Sequence, residues 1–285
     1  MESDTLLLGA VAYDSKVVTI WDGFQQYFAA RGFPFDYVLY SNYERQVEGQ
    51  LAGHTHVGWN SPLAWIEAAR LAAARGRSAR AVAMRDTDCD LTSVVVVRAD
   101  SPWRSLADLR GKRVGTGAAD SPQAHLIPLL HLAEAGLDLA RDVEIRRFDL
   151  LVGKHGDHIG GEREAARALV KGEVDAACMI DGNHLQFARE GVLPAGSTRV
   201  LHQTPPYDHC NFTVLDDAPR GPVDRFVELL FAMSYDEPEV RRLFDLEGLK
   251  AWRRGRVEGY AQLERAVDRF GTLEPWLRAH GGRSG

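Results

Sequence analysis

Cysteine is scarce in this chain: there are three in 285 residues, Cys89, Cys178 and Cys210. An odd number with no CxxC pair argues against a disulfide framework and fits a reducing compartment. Long apolar runs are also missing, since none approaches the roughly 20 residues that cross a bilayer, so no membrane insertion is expected. Excess positive charge is absent as well. The formal net charge is −6, and the basic stretches at 75–80 and 253–256 have acids close by, which argues against nucleic acid as a partner. An anionic ligand would therefore have to be held by local dipoles and hydrogen bonds. The start, Met1-Glu2-Ser3-Asp4, shows no basic n-region, apolar h-region or cleavage site. As written, the chain is expected in the cytoplasm, with a periplasmic or extracellular location only if a leader has been removed.

The composition present is that of a globular protein, with 45% hydrophobic and 26% charged residues. The length allows one large or two ordinary domains with a core of their own. A short apolar run, a polar loop and an amphipathic segment recur along the chain. Strands are predicted at 6–11, 35–40, 56–59, 93–97, 113–116, 143–148, 176–180 and 211–215. Helices are predicted at 16–30, 44–51, 61–75, 105–109, 122–135, 161–171, 184–190, 223–234 and 238–244. This alternation predicts an α/β protein with an open, largely parallel sheet in each half. The expected division is a discontinuous first lobe, 1–92 with 210–285, and a second lobe, 93–209. A single doubly wound sheet is the competing arrangement.

The most informative local feature occurs twice, as Asn60-Ser61-Pro62 and as Asp120-Ser121-Pro122. Serine at the N-cap followed by proline starts a helix sharply, because the hydroxyl satisfies an orphan amide and proline has none to satisfy. In α/β sheets such starts stand beyond the strands' carboxyl ends, where amides and the helix dipole favour anions. Residues 116–121 are small and hydroxyl-bearing around Thr116 and Ser121, so backbone can approach a ligand closely. Tyr13-Asp14-Ser15-Lys16 is a third strand-to-helix loop. Residues 154–162 form a fourth, where His155 and His158 stand among glycines as candidate donors or general acid–base groups. Asp181-Gly182-Asn183-His184 is a fifth, with a plain capped turn as its alternative reading.

No cofactor is expected, and a transition metal is the alternative that Asp86, Asp88, His155, His158 and His209 would serve, with no ligand spacing as diagnostic as HExxH. Cys210 beside His209 suggests an activated thiol. If both lay on one strand their side chains would point to opposite faces, so a buried, inert thiol is expected.

Together, Ser41-Asn42-Tyr43-Glu44, Trp59-Asn60-Ser61-Pro62-Leu63-Ala64, the stretch 105–112 and the stretch 117–128 resemble the phosphate/phosphonate-type substrate-binding proteins of ABC transporters. The resemblance runs from about Leu6 to Ser234. It implies a two-lobed type 2 periplasmic-binding-protein fold, a Venus flytrap that closes over a small anionic or zwitterionic solute. It also implies hydrogen-bond donors at Tyr13, Ser61, Thr116, Ser121 and His158, an acid at Asp181 for a ligand amine, and an ABC permease as partner if the protein is exported. Asp120 departs from the hydroxyl-rich run usual in that family's anion loop. Fold alone never settles function. An enzyme on the same fold, acting on a small anionic metabolite through His155, His158 or Cys210, is the rival expectation.

Overall fold

A computed structural model describes residues 5–156 and 160–280. The chain begins in the order the periodicity predicts, with β1 (Leu6–Val11), α1 (Lys16–Ala29), β2 (Phe35–Tyr40), α2 (Tyr43–Leu51), β3 (Val57–Asn60) and α3 (Pro62–Ala74), and then adds β4 (Ala79–Arg85), which the periodicity does not predict. A second set follows: β5 (Ser93–Arg98), β6 (Lys112–Thr116), α4 (Ile127–Glu134), β7 (Val143–Arg147), α5 (Gly160–Lys171), β8 (Ala176–Ile180), α6 (Asp181–Arg189) and β9 (Thr198–Gln203). The remainder comprises β10 (Asn211–Leu215), α7 (Arg220–Phe231), α8 (Pro238–Glu247), β11 (Trp252–Arg254), α9 (Ala261–Phe270) and α10 (Glu274–His280).

Two sheets result, ordered β11-β4-β10-β3-β1-β2 and β7-β6-β8-β5-β9, which replaces the single-sheet alternative. Each belongs to its own compact unit. The first unit takes the chain up to Asp90, Asp208–Tyr260 and the segment from Thr272 onward; the second takes Leu91–Tyr207 and Ala261–Gly271. The segment 261–271, expected in the first lobe, thus groups with the second unit. Its helix α9 buries Leu263, Ala266 and Val267, and Gln262 donates to the Pro205 carbonyl at 2.8 Å.

The sheets are mixed, not largely parallel. β1 pairs in parallel with β2 and β3, and β6 with β7 and β8, but β10 runs antiparallel to both β3 and β4. The reason is connectivity. The chain leaves the first unit after Asp90 and re-enters at Asp208, whose carboxylate accepts from the Asp90 amide at 3.2 Å, so the returning strand starts where β4 ends. Arg256 fixes this point, donating to Asp208 through Nε at 2.6 Å and to Asp90 at 2.7 Å.

Phe212 of β10 anchors the first unit's core. Its ring lies 4.5 Å from Trp59, 5.2 Å from Phe226 and 5.3 Å from Trp252, centroid to centroid, and it is fully buried. Such aromatic clusters gain from edge and tilted contacts as well as from area removed from water. Phe212→Ala leaves a cavity among three rings and is expected to cost about 3–5 kcal/mol. Urea unfolding checks this, and a midpoint equal to the wild type would show that the ring is not an anchor.

Candidate functional site

In the first unit the candidate residues stand at the carboxyl ends of β1 and β3. Asn60 ends β3 and Ser61 caps α3, with its Oγ accepting from the Ala64 amide at 3.1 Å. Both are fully buried. Gln46 donates through Nε2 to the Trp59 carbonyl at 2.9 Å and to Asn60 Oδ1 at 2.5 Å, which fixes the Asn60 amide orientation. Asn60 Nδ2 is left buried with no acceptor among the described residues, a donor whose burial is costly unless a ligand or solvent meets it. Tyr13 follows β1, partly buried against the core, with Lys16 Nζ 5.8 Å from its ring. The start of α1 differs from the expected pattern: Ser15 makes no side-chain cap, and Asp14 Oδ1 accepts from the Lys16 amide at 2.9 Å instead.

In the second unit, Thr116 ends β6 and Ser121 caps the next helix, its Oγ accepting from the Ala124 amide at 3.2 Å. The helix predicted here opens with one π turn, Pro122–Leu126, before α4, and the Leu126 amide bonds back to the Ser121 carbonyl at 3.0 Å. Such turns are frequent at functional sites. Thr116 Oγ1 lies 2.9 Å from His125 Nδ1. Burial holds His125 down to about 4, with a smaller push from Arg147, so the ring is neutral near pH 7.

The loop at 149–156 folds onto this capped turn. Gln123 Nε2 donates to the Gly156 carbonyl at 2.6 Å, Asp149 accepts from the Ala119 amide at 3.0 Å, and Asp120 accepts from the Gly153 amide. Asp120, the departure in the anion loop, is therefore turned to holding backbone. Gly156 has φ +74°, and a Cβ there would stand 2.5 Å from Ser121 Oγ, so only glycine fits. His155 is fully buried with φ +48°. His158 lies outside the described residues.

Asp181 opens α6, where its carboxylate accepts from the Gly182 amide at 2.7 Å. Beside it, buried Glu162 accepts from the Ile180 amide at 3.0 Å and from Asn183 Nδ2 at 2.8 Å. Burial pushes the Tyr207 phenol far up, and Glu162 and Asp181 add to the shift. Tyr207 is 2.9 Å from Ser93 Oγ, which in turn donates to the Gln123 carbonyl at 2.5 Å. Ser93, Gln123 and Tyr207 are not legible as site residues in the sequence, whereas Glu162 closes the 154–162 loop that the sequence singles out.

The thiol and metal candidates need one correction. His209 and Cys210 precede β10, so strand alternation does not apply, and His209 Nδ1 lies 3.1 Å from Cys210 Sγ and 3.5 Å from Asp88 Oδ1. Asp88, His209 and Cys210 thus converge, whereas Asp86 caps the Lys250 amide at 3.1 Å and His155 belongs to the second unit. Both Asp88 oxygens are already taken by Arg85, at 2.6 and 2.8 Å. Burial alone would raise the Asp88 carboxyl, but the guanidinium outweighs it and holds the group at about 2. A fixed cation there opposes a metal ion, and Cys210 Sγ belongs to the aromatic core.

Two sheets, each with capped helix starts at strand carboxyl ends, define a binding protein of the type 2 periplasmic fold. A sequence model described as "ABC transporter, phosphonate, periplasmic substrate-binding protein" matches residues 9–260. The chain belongs to that family. PhnD1 from Prochlorococcus marinus (MIT 9301), solved with methylphosphonate, is 15% identical over 94% of this chain and 98% of its own, with a TM-score of 0.69. XAC2383 from Xanthomonas citri, solved with ATP, is 16% identical over 96% and 99% of the two chains, with a TM-score of 0.71. The aliphatic sulphonate binding protein SsuA from Escherichia coli is 17% identical over 96% and 94%, with a TM-score of 0.59. No curated protein matches the chain.

His125 generates a prediction with a definite sign. Its folded pKa of about 4 lies below the ordinary 6.5, so between those pH values the unfolded chain takes up a proton that the folded chain refuses. Stability present above pH 6.5 is lost as pH falls towards 4, by about 3 kcal/mol from this residue. His125→Gln is expected to lose that much less over the same interval in denaturant titrations at several pH values. Parallel profiles would show that His125 is not held neutral.

Proposed function

We propose that the ligand is a small tetrahedral oxyanion of the phosphonate, phosphate or sulfonate type. Asn60 and Ser61 in the first unit, and Thr116, Ser121 and the backbone around them in the second, are the proposed donors. The observation that carries this reading is the repeated Ser-Pro helix start, buried in both units at the end of an inner strand. Helix N-termini present amides and a positive dipole end to anions, and sheltered charge-assisted hydrogen bonds are worth about 1.5–3 kcal/mol each. Neutral His125 behind Thr116 adds polarity without a second charge. Asp181 and Glu162 suit a ligand that also carries an amine, such as an aminoalkylphosphonate. Family membership and the solved relatives with methylphosphonate and sulphonate specificity support the same class. Tyr13 and His158 remain proposed contacts through the family resemblance, and His155 through its place in the glycine-rich 154–162 loop. The reading invokes no cofactor, and for an exported protein its macromolecular partner is an ABC permease.

Isothermal titration with methylphosphonate, an aminoalkylphosphonate, phosphate and methanesulfonate tests it. One equivalent of at least one of these oxyanions is expected to bind. Ser61→Ala and Ser121→Ala are each expected to weaken it by about tenfold or more, as the loss of one charge-assisted bond requires. Absence of binding by all four, or affinity unchanged in both variants, would contradict the reading.

A further inference from the structure

We propose that His131 of α4 and His202 of β9 form a binding site for a divalent transition-metal ion of the zinc, nickel and copper class. Neither residue belongs to the oxyanion site or to the Asp88, His209 and Cys210 cluster.

The argument starts from Gln262 of α9. Its Nε2 donates to the Pro205 carbonyl at 2.8 Å and the Pro206 carbonyl at 3.1 Å, so the amide cannot flip without losing both bonds. Oε1 is thereby fixed as the atom facing His131 Nε2, 3.1 Å away. His131 must then carry its ring proton on Nε2, and the Nδ1 lone pair is turned towards His202. His202 Nε2 stands 3.2 Å from that Nδ1.

Neutral imidazole nitrogen bonds zinc at about 2.0–2.1 Å, which puts two ligands on one edge of a tetrahedron roughly 3.3 Å apart. The observed 3.2 Å separation is close to that edge, and a tilt of the two rings about their side-chain torsions turns both lone pairs from each other onto one ion. Only the His202 proton has to shift, from Nε2 to Nδ1. The Gln262 contact is the outer-shell arrangement that metal-bound histidines favour, an N–H donated to a carbonyl that fixes tautomer and ring orientation. Both rings are half-buried, so solvent can complete the coordination shell. An ion there would tie α4 to the edge strand β9.

Titration of chelator-treated full-length protein with zinc chloride tests the site. The expected result is one equivalent bound and a zinc-dependent rise in melting temperature, both lost in His131→Asn and in His202→Asn. Gln262→Leu is expected to weaken zinc binding by about tenfold. Cys210→Ser is expected to bind as the wild type does, separating this site from the Asp88 cluster. Electron paramagnetic resonance of the wild type with one equivalent of copper(II) needs no variant and should show two coordinating nitrogens and no sulfur. No zinc uptake by the wild type, binding that survives both histidine substitutions or is lost in Cys210→Ser, or a copper spectrum without two nitrogens would overturn the proposal.

Discussion

Two serine hydroxyls, Ser61 and Ser121, satisfy the first amides of the helices that follow β3 and β6, and the polar groups of the candidate site are arranged around those caps. A cap is worth about 1 kcal/mol, modest beside a whole core. Its larger effect is geometric. With proline at the next position the helix must begin there, so the neighbouring amides are aimed out of the strand end and away from the sheet. Gln46 then fixes Asn60 beside the first cap, and Gln123 with Gly156 closes the 149–156 loop over the second. Replacing either serine would disturb both the electrostatics and the direction of the donors.

Beneath the first cluster, charge is buried with its partners. Arg85 holds Asp88 through two nitrogens and reaches the Glu247 carboxylate at 3.1 Å, while its guanidinium lies 5.2 Å from the Trp59 ring. Burial raises the Glu247 carboxyl despite Arg85, whereas Asp88, bonded twice, is held low. Removing one member would strand the others in a medium that penalises charge. This explains why the converging ligand-type atoms of Asp88, His209 and Cys210 make an ion-pair core and why the convergence alone is not evidence of a metal centre. His131 and His202 offer the opposite setting, two imidazoles bonded to each other with an ordered side-chain carbonyl behind them.

Much of the scaffold could be read from the chain because its signals are local. The apolar runs of β1, β2, β8 and β10 have the bounds that the pattern predicts, and the Ser-Pro starts fall where capping chemistry requires them. β4, β9 and β11 do not show in the pattern because they are half exposed and interrupted by arginine or other polar residues, so their alternation is weak. The antiparallel course of β10 and the placement of α9 depend on where the chain crosses between units, which no local window contains. The same limit applied to the site. Hydroxyl and glycine positions were readable, but Ser93, Gln123 and Tyr207 gain meaning only when distant segments meet. His209 and Cys210 lie before β10, so strand alternation does not separate their side chains.

The most direct test of the donor arrangement is a solution NMR titration of isotope-labelled protein with methylphosphonate. The Asn60 side-chain amide and the backbone amides around Ser61 and Ser121 are predicted to shift together with a single binding curve. Shifts confined to other residues, with these signals unmoved at saturation, would contradict the assignment of the capped strand ends as the oxyanion site.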